Sequence, residues 1–108
     1  MTIKWVQADP LALNGEPFCY GSRLTVRQLL EMRRNGLTLV EILTQQPELR
    51  RMGIASAYVY AAGHPERYAD FVEPDGSLAG PGFTEDQAAG LPERLRAPGI
   101  VVKPAVAA

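Results

Sequence analysis

Arg50 and Arg51 stand side by side where the sequence begins its third helical stretch. The first turn of a helix has backbone N–H groups without intrahelical partners and the positive end of the peptide dipole. Two guanidinium groups beside such donors suit a phosphate or the acceptor edge of guanine. The dipole repels its own arginines there, so the placement invites an anionic ligand; a solvated pair with Glu48 as local partner is the other use of the same residues. Three further residues join them as candidates for contact with DNA. Arg27 lies near the start of the first helical stretch, and Ser56 and Tyr60 lie on the third. Tyr60 offers a ring on which a base can stack, whereas Tyr58 falls on an apolar stripe and is expected in the core.

Other chemistry is poorly served. His64 is the only histidine and Cys19 the only cysteine. Neither has companions at ligand spacing, so no metal site is expected. No Ser-His-Asp grouping, paired-carboxylate context or phosphate loop is present, and the reading is of a non-enzyme without a cofactor. Cys19 lies between Phe18 and Tyr20 and reads as a small core hydrophobe. His64 and the pair Arg33 and Arg34 each fall near a helix end, where a cation complements the dipole.

The elements that must position these residues are legible from their boundaries. Ile3 to Gln7 alternates with a period of two and predicts a short strand. Leu11-Ala12-Leu13 and Phe18-Cys19-Tyr20 flank Asn14-Gly15-Glu16-Pro17, a pattern that predicts a hairpin, because Asn-Gly supplies the positive φ angles of a tight turn. Three helices follow, near 25–35, 38–46 and 51–62. Thr25 with Gln28 and Thr38 with Glu41 form capping boxes that satisfy orphan N–H groups. Gly36 is the expected left-handed cap of the first helix, and Pro47 closes the second. The apolar stripes are Val26/Leu29/Leu30, Leu39/Ile42/Leu43 and Ile54/Ala57/Tyr58/Ala61, expected to face one another.

Beyond His64 the composition changes. Six prolines and five glycines fall between His64 and Ala108, which predicts an extended arm with local order. Tyr68 to Val72 reads as a possible strand, and Thr84 to Gln87 as the start of a short helix reaching toward Arg96. The expected organisation is a hairpin plus helix-turn-helix domain over 1–65 and an arm over 66–108. Phe71, Phe83, Leu95, Ile100 and Val102 are too apolar for an idle tail and are candidate anchors for a protein partner, with packing on the arm's own domain as the alternative.

Hydrophobic residues at 46% and charged residues at 21% mark a folded rather than a disordered chain. The net charge of −1 conceals an asymmetry: Gly15 to Arg67 holds seven Arg and five Glu, whereas Tyr68 to Ala108 holds three basic and six acidic residues. A mildly basic front points weakly to an anionic partner. With no leader and no apolar run of spanning length, the expected location is cytoplasmic, without membrane contact.

In order and spacing, residues 9–61 resemble the bacterial domain-of-unknown-function family 433. The resemblance rests on Asp9-Pro10, Gly15-Glu16-Pro17, Phe18 to Tyr20 and Gly21-Ser22-Arg23-Leu24-Thr25-Val26, and further along on Gly36-Leu37-Thr38, Ile42-Leu43, Pro47-Glu48-Leu49 and Ala57-Tyr58-Val59-Tyr60-Ala61. Ser22 stands where the family has Thr, and Arg50 to Gly53 replaces its usual capping Thr and acidic residues. Members look like the antitoxin halves of VapBC-type pairs. The resemblance therefore implies a mainly helical DNA-binding regulator on double-stranded DNA that also binds and neutralises a toxin-like, PIN-type nuclease. The alternative is a protein-interaction or oligomerisation module without DNA binding. A homodimer is expected in either case, its seam around Ile3, Trp5, Phe18 and Tyr20.

Overall fold

The computed structural model describes residues 6–7, 17–19 and 24–102. Strand β1 (Val6–Gln7) pairs antiparallel with β2 (Phe18–Cys19), Val6 opposite Cys19 and Gln7 opposite Phe18. The described partner of Phe18–Cys19 is thus the first strand, while Leu11 to Leu13, the Asn14-Gly15 turn, Trp5, Tyr20 and Ser22-Arg23 lie outside the described residues. The chain is mainly helical, with four α-helices among the described residues and little strand: α1 (Val26–Arg34), α2 (Leu39–Gln45), α3 (Arg51–Ala62) and α4 (Glu85–Ala88).

Three of the four described α-helices start on a capping box. In α1, Thr25 Oγ1 accepts from the Gln28 N–H at 3.1 Å while the Thr25 N–H donates to Gln28 Oε1 at 2.9 Å. In α2 the reciprocal distances for Thr38 and Glu41 are 3.3 and 3.0 Å. Thr84 and Gln87 repeat the box on α4 at 3.2 and 2.9 Å. Asn35 ends α1, and Gly36 beyond it takes φ of +96°, a left-handed conformation that a β-carbon disfavours. Each box satisfies donors at a helix start, so Thr38→Ala is expected to lower stability by about 1 kcal/mol in denaturant melts; an unchanged midpoint would show the box to be ornamental.

The stripes go where the pattern sends them. Val26, Leu29 and Leu30 of α1, Leu39 and Ile42 of α2, and Ile54, Ala57, Tyr58 and Ala61 of α3 are buried in one core, with Leu43 half-buried against it. Helix α1 packs on α3, and α3 also meets β1 and β2.

The segment after α3 departs from its compositional reading. Residues 66–102 fold back on the helices and share their core, because their aromatic and aliphatic side chains find an apolar face already present. Phe71, Phe83 and Leu95, expected as exposed anchors, are 3%, 1% and 3% exposed, and Ile100 and Val102 are half-buried against the same cluster. Burial of each large apolar side chain stabilises by ~1.5–3 kcal/mol, which outweighs the mobility a Gly/Pro-rich chain would keep as an arm. Tyr68 to Val72 forms no strand. A 3-10 turn at Ala69–Phe71 packs on α1, and Val72 then bridges Leu78 across the Pro74-Asp75-Gly76 turn. Helix α4 stops at Ala88 instead of continuing toward Arg96, since Gly90 and Pro92 break it, and a second 3-10 turn, Glu93–Leu95, packs on α3. No helix among the described residues is long and apolar enough to cross a membrane.

Candidate nucleic-acid interface

The start of α3 is the exception among the helices. Where α1, α2 and α4 open on complete capping boxes, α3 opens on Arg50 in extended conformation, with no side-chain bond to the first turn and no acidic residue in that turn. Arg50 and Arg51 are both exposed. The longest helix among the described residues therefore has an uncapped first turn and two exposed cations at one end. That combination suits an anion, because charge-assisted N–H donors and the dipole act in the same direction on it.

Arg51 is also engaged within the chain. Its Nη1 donates to the Gln87 carbonyl oxygen at 3.1 Å, satisfying an acceptor near the end of α4. Arg27 is spent similarly at the opposite end of the module: its Nη2 donates to the Arg67 carbonyl at 2.9 Å, and its guanidinium lies 5.2 Å from the Tyr68 ring centre and 5.8 Å from that of Phe71. Tyr60 is half-buried, stacked at 4.2 Å on His64 and 6.4 Å from Tyr68, edge on. Ser56 is half-buried near the middle of α3.

The five sequence-derived DNA candidates do not form one patch. Arg50 and Arg51 share the start of α3, while Tyr60 sits some 14 Å along the helix, at 1.5 Å per residue. Arg27 and Tyr60 both border Tyr68, at the far end. His64 behaves as expected of a residue at a helix end: a carbonyl can only accept, so His64 Nδ1–H donates to the Tyr60 carbonyl at 2.8 Å.

Sequence reasoning missed the role of Arg33. Expected as a dipole-complementing cation, it is instead fully buried. Its guanidinium lies 4.5 Å from the Tyr58 ring centre; Nη1 donates to the Ile100 carbonyl and Nη2 to that of Leu78 at 3.3 Å. Nε has no hydrogen-bond partner among the described residues. Burial pushes the guanidinium below its ordinary pKa, with the electrostatic effect of Tyr58 opposing the shift. The signal that could have exposed this role is Gly80-Pro81-Gly82. Both glycines have positive φ, and a β-carbon at Gly82 would come 2.9 Å from Arg33 Nη2.

No group of three or more His, Cys, Asp or Glu able to hold a metal occurs among the described residues. Neither a curated protein nor a solved structure matches the chain. Residues 6–61 match the family described as protein of unknown function (DUF433), and because that match spans more than half of the 108 residues, the chain belongs to this family.

Proposed function

We propose that this chain is a DNA-binding regulator of the antitoxin type, in which α2 and α3 act as a helix-turn-helix and the start of α3 meets the DNA. The observation that carries the reading is the uncapped start of α3 with Arg50 and Arg51 exposed, where the other α-helices among the described residues are all capped. Phosphate or a guanine edge supplies the acceptors that the cap withholds. A homodimer belongs to the same reading, since one such unit reads few base pairs. Neutralisation of a PIN-type nuclease calls for an exposed surface, because Phe71, Phe83 and Leu95 are core residues.

The test is fluorescence anisotropy with double-stranded DNA from upstream of the chain's own coding sequence, over a salt series. Specific binding that weakens steeply with salt is expected. Arg50→Ala/Arg51→Ala should weaken it roughly tenfold or more and lower the salt slope by about two.

A second reading has its own observation. Arg27 and Arg51 already serve the fold, which leaves less free positive charge than the sequence suggests and favours a protein-interaction or oligomerisation module. Binding to no duplex at low salt, together with a stable dimer by light scattering, would select it.

A further inference from the structure

The family match ends at Ala61, yet the arginines of the helices are bound up with what comes after it. All four on α1 and α3 touch residues 67–102: Arg27 the Arg67 carbonyl, Arg33 the Leu78 and Ile100 carbonyls, Arg34 the Phe71 ring at 4.8 Å, and Arg51 the Gln87 carbonyl. The same segment carries six carboxylates against three arginines, Arg67, Arg94 and Arg96. Folding back therefore lays the acidic part of the chain over its basic part, which the sequence held apart. At the start of α3 the segment also brings carboxylates near in sequence to the contact. Arg51 reaches α4 at Gln87, and the two preceding residues, Glu85 and Asp86, are exposed carboxylates in the four-residue helix.

Resting on the DNA-binding reading, we infer that residues 66–102 are an autoinhibitory acidic cover, with α4 as the part that weakens the contact of α3 with DNA. Two effects act together. The Gln87 carbonyl takes one of the five N–H donors of Arg51 and holds the guanidinium toward α4, which leaves fewer donors for a phosphate oxygen. Glu85 and Asp86, two and one residues from that carbonyl, repel the incoming backbone, an effect that salt screens over about a Debye length. The cover does not swing away: Leu78, Phe83, Leu95 and Val101 are core residues. It sets the affinity of the folded chain permanently below what the helices alone would give, favouring a site whose base contacts offset the repulsion over DNA at large.

The experiment compares three full-length chains in duplex-DNA titrations: the natural one, Glu85→Gln/Asp86→Asn, and Asp70→Asn/Glu73→Gln, which removes the same charge beside Phe71. The first variant is expected to bind severalfold tighter at low salt, with the gain shrinking as salt rises. The second is expected to gain much less. Equal gains in the two variants would reduce the effect to net charge and overturn the inference while leaving the DNA reading intact, as would unchanged affinity in the first. Failure of all three chains to bind any duplex overturns the inference together with the reading on which it rests.

Discussion

Arg33→Ala is expected to lower the melting temperature by at least about 10 °C. The guanidinium is the donor to the Leu78 and Ile100 carbonyls, and losing the partner of a buried polar group costs ~1–3 kcal/mol each time. Truncation also leaves a void under Tyr58. Against these losses stands the relief of burying a cation with a low-dielectric surround, which burial already disfavours. For a domain of this size 1 kcal/mol corresponds to about 4–8 °C, so the losses dominate. Arg33→Met separates the terms, because it keeps much of the volume and removes both the charge and the hydrogen bonds; a smaller decrease is expected. Gly80→Ala should be as damaging as Arg33→Ala from the other side of the contact. At φ of +100° a β-carbon there would collide with the Arg33 carbonyl group and come 2.6 Å from Arg33 Cγ. Thermal melts that place Arg33→Ala within a degree or two of the natural chain would show that this buried arginine does not hold the C-terminal segment.

Removing residues 66–108 is expected to unfold the remainder. Tyr68, Phe71, Leu78, Phe83, Leu91, Leu95 and Val101 are all buried in the common core and would be lost, while Arg33 and Tyr58 would lose their cover. At ~1.5–3 kcal/mol for each large apolar side chain, the loss is as large as the ~5–15 kcal/mol that a domain has to spare. Residues 1–65 should then show weak helical circular dichroism, no cooperative melt and poor amide dispersion in NMR spectra. A sharp thermal transition from the truncated chain would mean instead that the helices form an independent unit and that the segment merely rests on it.

The sequence by itself determined the helices of this protein. Thr25-x-x-Gln28, Thr38-x-x-Glu41 and Thr84-x-x-Gln87 are contacts between residues three apart, so the local chain decides them, and all three boxes form. The stripe Ile54/Ala57/Tyr58/Ala61 is likewise a consequence of 3.6 residues per turn, and those side chains are buried. The uncapped α3 was legible for the same reason, from Arg50 and Arg51 standing where a Thr would serve. Tertiary structure alone decided what the C-terminal residues do. Composition shows that 66–102 has the glycines and prolines of an irregular chain, and an irregular chain with apolar anchors packs equally well on a partner or on itself. The choice depends on whether a matching face lies within reach, and α1 and α3 provide one. It also reassigned Arg33, whose position in the last turn of α1 is compatible with solvent until Leu78 and Ile100, 45 and 67 residues away, bring their carbonyls to it. Contacts over such separations leave no periodicity to read, because chain closure, not local geometry, sets which residues meet.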